Sequence, residues 1–141
     1  MKAKQRTGFS LIEMVIVILI LGIIAAVAAP RMFDTAARAE ESTTRQQLGV
    51  LRNAIEMYRA SYNSYPLSGE LKARMEEMLN GPFPAPTIGT NKGQASVYND
   101  ADTNEATPAA AAVAQPHGWV YKPINGSLKL NVGAAETGYE W

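Results

Sequence analysis

Cysteine is absent from this 141-residue chain, which excludes both a disulfide framework and a thiolate metal site. The single histidine, His117, leaves no histidine pair for zinc, and nucleophilic catalysis would have to rest on a Ser or Thr beside that one imidazole. No glycine-rich phosphate loop appears. Net charge is missing as well. Thirteen Lys plus Arg balance thirteen Asp plus Glu, which withholds the basic excess that sequence-independent nucleic-acid binding draws on. Neither catalysis nor direct nucleic-acid binding is therefore expected, and no cofactor is implied by these residues. The adjacent Glu76 and Glu77 point in different directions on a helix and read as solvated surface. His117, before a glycine at a strand start, reads as a surface or cap residue. The length gives room for one domain plus appendages.

What the chain does have is one long apolar run. From Phe9 to Ala29 stand 21 residues of which only Ser10 and Glu13 are polar. A helix of that length spans roughly 30 Å of hydrocarbon, enough for one membrane crossing. Lys2, Lys4 and Arg6 precede it and are matched by Arg31, Arg38 and Arg45 beyond it, but the density of charge in the short tail, with its amine, favours a cytoplasmic N-terminus. Three readings fit this segment. It serves as a permanent signal anchor, for which Glu13 is a cost, since carboxylates are expensive in hydrocarbon. Alternatively it is a secretory signal, with Ala26-Val27-Ala28 as a small-x-small site that would release a secreted binding domain after Ala28. In the third reading Glu13 waits at the front of the helix for a positive partner from another molecule.

The residues Arg6-Thr7-Gly8-Phe9-Ser10-Leu11-Ile12-Glu13 resemble the processing motif of type IV prepilins and type II secretion pseudopilins. In that family a membrane peptidase cuts after the glycine, methylates the new amino terminus and leaves the apolar helix attached. The resemblance implies a cut between Gly8 and Phe9, N-methylation of Phe9, and subunit assembly through Glu13 and Phe9. Gly22 and Pro30 fall where the family commonly has glycine and proline, and are the expected sites of a helix kink. The implied product is a homo-oligomeric filament, with the prepilin peptidase, an inner-membrane platform protein and an assembly ATPase as partners. The implied location is a single-pass inner-membrane protein, and then a periplasmic or cell-surface filament. Physical chemistry supports the pairing. A new ammonium at a helix start sits at the positive end of the macrodipole, and a neighbour's carboxylate relieves it most strongly in apolar surroundings.

Beyond the run, Leu48, Leu51, Ile55, Tyr58 and Tyr62 fall at spacings of three and four on one helix face. Pro30 bends the helix rather than breaking it, so residues 9–63 read as one helix of ~80 Å. Arg31, Arg38, Arg45, Arg52 and Arg59 recur every seven residues beside the apolar stripe and read as a solvated flank, with a contact rail between subunits as the other reading. A second amphipathic helix is expected over residues 68–79. Gly81-Pro82-Phe83-Pro84-Ala85-Pro86 is an extended connector, read as a spacer. Residues 94–98 read as a short strand and 99–115 as a surface loop.

His117 to Lys122 and Ser127 to Val132 flank Asn125-Gly126, a hairpin signal that puts Trp119, Tyr121, Leu128 and Leu130 on one face. That face is the expected cover for the helical stripe. Trp119 and Trp141 read as core and edge packing. Asp100, Asp102 and Asn104 open like a calcium loop, but Glu105 stands where glycine is needed and Ala111 where a bidentate Glu should be. Major pseudopilins, which this chain resembles, often hold calcium in a C-terminal loop, yet residues 132–141 contain no aspartate and only Glu136 and Glu140. Asp100 and Asp102 remain the weak calcium candidates.

The expected architecture is α+β and pilin-like: a long N-terminal helix, half transmembrane and half amphipathic, packed on a small antiparallel sheet with a C-terminal hairpin. The expected divisions are 1–8 as a cleaved leader, 9–29 as transmembrane and filament-core helix, 30–63 as its amphipathic continuation and 64–141 as a globular head. The same subunit physics would serve a secretion pseudopilus or an adhesive, motile or DNA-uptake pilus.

Overall fold

The computed structural model describes residues 8–101 and 116–141. Its elements are helix α1 (Leu11–Tyr62), helix α2 (Leu71–Leu79), and strands β1 (Val97–Asn99), β2 (Trp119–Lys122) and β3 (Ser127–Leu130). The leader residues Lys2, Lys4 and Arg6, and Asp102, Asn104, Glu105 and Ala111 of the expected calcium loop, lie outside the described residues. The chain divides into two compact units, Met1–Arg38 and Ala39–Trp141.

In the first unit the helix begins at Leu11 and continues without interruption through Gly22 and Pro30. Pro30 has no N–H, so the carbonyl of Ala26 loses its helical donor there, yet the helix is not broken. None of its most apolar stretch is buried.

The second unit owes its core to two complementary periodicities. Leu48, Leu51, Ala54, Ile55 and Tyr58 come to one side of α1 because they recur at 3–4 spacing, and all are buried. Trp119 and Tyr121 of β2 and Leu128 and Leu130 of β3 alternate onto one face, paired Trp119 to Leu130 and Tyr121 to Leu128. These two faces meet in a single cluster with Leu71, Met75, Phe83 and Val132. Tyr62 departs from the expected stripe. It is 63% exposed and stacks on Tyr58 at 4.5 Å, because the helix ends there. Asn63 takes a left-handed φ of 53° and donates its N–H to Arg59 O at 2.8 Å.

The sheet is mixed rather than antiparallel. In the order β1-β2-β3, β2 and β3 form the expected hairpin, but β1 pairs parallel to β2, with Val97 opposite Trp119. A parallel neighbour needs a crossover of about a dozen residues or more, and the stretch between Asn99 and Trp119 is long enough to supply it. The hairpin turn uses Gly126 at φ 71°, with its N–H donated to Lys122 O at 2.9 Å. A side chain there would collide with the Tyr65 ring, which lies over the glycine.

Two further expectations change. Helix α2 starts at Leu71, not Ser68, because Gly69 sits at φ 84° and turns the chain first. The proline connector is more than a spacer. It carries Phe83 into the core at 3% exposure, and the Pro84 carbonyl accepts the indole N–H of buried Trp119 at 2.8 Å.

Candidate functional site

Gly8, Phe9 and Ser10 precede α1 outside regular structure, and Phe9 is 80% exposed. The Gly8–Phe9 peptide thus stands outside regular structure, just ahead of a helix. Ser10 is where the helix is capped: its carbonyl accepts Met14 N–H at 3.3 Å, while its own N–H donates to Glu13 Oε2 at 2.8 Å. A Glu at the third helical position reaching back to the cap residue is half of a capping box, and it satisfies one donor that the helix start would otherwise leave unpaired. The Ser-x-x-Glu spacing is the local sequence signal for this cap. Glu13 therefore lies within the first turn, between the candidate cleavage point and the apolar run, with Oε2 occupied within the chain.

Around Glu13 and beyond it, the apolar side chains have no cover among the described residues. Ile12, Val15, Ile16, Ile18, Leu19, Ile23 and Ile24 are all exposed. At Gly22 a side chain would meet nothing within 4 Å, so no contact in the chain requires glycine there. Among the described residues α1 is the one helix long and apolar enough to cross a membrane.

The arginine row in the second unit is exposed, as expected of a solvated flank, and it also makes contacts within the chain. Arg52 donates Nε and Nη2 to the Leu128 carbonyl at 3.0 and 2.9 Å. The pairing of Asn131 N–H with Gly118 O fixes the alternation along the hairpin, so the carbonyl of Leu128 faces the open edge of β3. Arg52 caps that edge, and burial lowers its pKa. Arg45 lies over the Trp141 ring at 4.3 Å, and Arg59 donates to the Tyr65 hydroxyl at 2.8 Å. Contacts within the subunit therefore take up the second half of the row.

The remaining candidate residues are structural in their contacts. The His117 ring nitrogen Nδ1 is 3.1 Å from Ser96 Oγ, and its carbonyl accepts the Asn131 amide at 2.7 Å. Tyr121 donates its hydroxyl to Pro66 O at 3.0 Å, and burial first, then Tyr65 and Tyr58, raise its pKa. Glu76 accepts the Phe83 N–H at 3.3 Å, and Glu77 faces Arg74 at 3.9 Å.

Calcium fits poorly. Asp100 faces the buried Lys122 ammonium at 3.6 Å, so a cation already occupies its side. Asp102 is outside the described residues, and among those described no three His, Cys, Asp or Glu side chains gather as a metal site. In the C-terminal loop Glu136 is surrounded by hydrogen-bond donors. It accepts Thr90 N–H and Oγ1–H at 3.0 and 2.6 Å on Oε1, and Gly133 N–H at 2.6 Å on Oε2.

A long helix with an exposed apolar start, a small α+β head and an acidic residue in the first helical turn define a pilin-like protein. Residues 3–29 match the model of the prokaryotic N-terminal methylation motif. The chain is similar to the type II secretion system core protein G of Aeromonas hydrophila, 30% identical over 86 residues that make up 61% of this chain and 58% of that protein. The protein of the same description from Pseudomonas aeruginosa is 29% identical over 85 residues, 60% of each chain. The type IV major fimbrial protein FimA of Dichelobacter nodosus is 45% identical over 56 residues, 40% of this chain and 35% of that one. The chain thus spans about three-fifths of the length of the core protein G relatives named here. No solved structure matches it.

Proposed function

We propose that this chain is a structural subunit of a type IV pilus-like or type II secretion pseudopilus filament, assembled through its apolar N-terminal helix. One observation carries the reading: a membrane-length apolar helix, its large side chains exposed, follows a Gly-Phe step and bears Glu13 in its first turn. Apolar surface of that extent needs lipid before assembly and other helices afterwards.

In this scheme the chain is inserted once in the inner membrane with its N-terminus in the cytoplasm. A prepilin peptidase cuts between Gly8 and Phe9 and methylates the Phe9 amine. The new ammonium sits at the unfavourable end of the macrodipole and is compensated by Glu13 of an adjoining copy, whose Oε2 also holds its own cap. The contact is heterologous and does not close, so repetition yields a filament. Pro30 and Gly22 let the helix bend during packing. An inner-membrane platform protein and a cytoplasmic ATPase would drive extraction into a periplasmic or cell-surface fibre.

Mass spectrometry of native material tests the scheme, with imaging of purified fibres. An N-methylated start at Phe9 in fibre-derived peptide is expected. A start at Ala29 would mark a signal peptide and remove the assembly helix, and retention of the first eight residues would mark a permanent anchor.

A further inference from the structure

The feature of the head that the filament scheme leaves unused is the pair of loops at residues 86–94 and 131–138. Each loop turns on itself, through Lys92 N–H to Gly89 O at 3.2 Å in one and Glu136 N–H to Gly133 O at 2.9 Å in the other. Gly89, at φ 82°, lets the first loop close onto Val132 of the second. Neither loop contributes a regular ladder to the other, so what fastens them is side-chain chemistry. The Asn91 amide reaches the Asn131 carbonyl at 3.3 Å, and the remaining polar links converge on the carboxylate of Glu136.

That carboxylate accepts three hydrogen bonds, two from Thr90 across the gap and one from Gly133 within its own turn. Charge-assisted bonds of this kind are about twice as strong as neutral ones. The donor set also decides against a metal. A calcium ion requires six to eight oxygens, roughly, whereas the groups aimed at Glu136 are N–H and O–H and present their positive ends. The other acidic side chain of the C-terminal segment, Glu140, lines a groove with Arg52 and Lys129.

We infer that the Glu136 carboxylate, hydrogen-bonded to Thr90 and Gly133, closes the C-terminal loop in the place where the resembling major pseudopilins use calcium, and that this head keeps its fold independently of that ion. The inference concerns the stability of the head and stands whether or not the chain builds a filament.

Thermal unfolding of the full chain in detergent micelles, in excess EDTA and in millimolar calcium, tests it. The wild-type midpoint is expected to be the same in both, since an ion that binds only the folded state would raise it. Glu136→Gln is expected to lower the midpoint by about 4 to 8 °C, the shift that about 1 kcal/mol brings to a small domain, and calcium is expected not to restore it. Thr90→Val, which removes one of the three donors, should give a smaller drop, and in the Glu136→Gln background it should add nothing. A midpoint raised by calcium in the wild type, rescue of Glu136→Gln by calcium, or an unchanged midpoint in either variant would overturn the inference. Should Glu136→Gln fail to fold, Thr90→Val and the calcium comparison still decide it.

Discussion

The two parts of helix α1 treat their apolar residues in opposite ways. Before Arg31, side chains such as Ile18 and Leu19 are more than 60% exposed; after Ala39, Leu48, Leu51 and Ile55 are exposed by 2% or less. In the second region the partner is encoded in the same chain, at Trp119, Tyr121, Leu128 and Leu130. Among the described residues the first region has no such counterpart. Residues there do not contribute to holding the monomer together; their energetic value is realised only in lipid or against another helix. Stability and assembly should therefore separate by position along one helix.

The strongest way to break this comparison is a pair of truncations. Trp119→Ala empties the centre of the head and removes a buried indole hydrogen bond, at an expected cost of about 3 to 5 kcal/mol, a large share of a small domain's stability. Ile18→Ala should leave the denaturant midpoint of the head within about 0.5 kcal/mol of wild type. Chemical unfolding followed by tryptophan fluorescence reads both. An Ile18→Ala effect as large as that of Trp119→Ala would mean that the first region is folded against the chain itself.

Glu13→Gln sharpens the comparison from the other side. Glutamine can still cap the helix, since the capping box accepts Gln or Glu, but it carries no charge to meet an ammonium. Cleavage after Gly8 and the unfolding midpoint of the head should be unchanged, while recovery of sheared fibres should fall at least tenfold, or about 1.4 kcal/mol. Normal fibre yield would refute the pairing and leave Glu13 with a capping role alone.

Arg52→Ala is smaller and local. It exposes the Leu128 carbonyl at the edge of β3, and with the guanidinium partly exposed the expected loss is about 1 kcal/mol. Arg52→Lys should not recover it, because one ammonium cannot reproduce two fork-shaped donations. Hydrogen exchange at β3 would report the loosened edge.

What could be read from the chain alone follows the range over which each signal acts. The apolar run, the Gly8-Phe9 step with Glu13 beyond it, the 3–4 stripe and the Asn125-Gly126 hairpin are all local patterns, and the head core they imply is the core observed. The Ser10 to Glu13 cap is equally local, a Ser-x-x-Glu spacing that the charge of a membrane carboxylate overshadows. Long-range partners were out of reach. Arg52 meets Leu128 across 76 positions and Thr90 meets Glu136 across 46, and nothing in an arginine heptad or an isolated glutamate announces which carbonyl or hydroxyl it will find. The parallel placement of β1 escaped for the same reason, since three residues of strand do not specify a direction.

The smallest effect, and the one confined most closely to the head, is on acid stability. The hydroxyl of Thr90 first, and then the Gly133 N–H, hold the Glu136 carboxyl below the usual carboxylate range. A depressed folded-state pKa means that the unfolded chain takes up the proton first as pH falls. The contribution is therefore complete above the unfolded carboxylate pKa of about 4.3 and disappears as pH drops through the folded value. Thermal midpoints of wild type and Glu136→Gln should differ most near neutrality and converge on the acid side. The same substitution should leave fibre recovery at neutral pH untouched, provided the measurement is made below the midpoint of the variant head. A gap that stayed constant from neutral to acid pH would show that the variant acts through packing rather than through the charge, and would move Glu136 from an ionic fastening to a steric one.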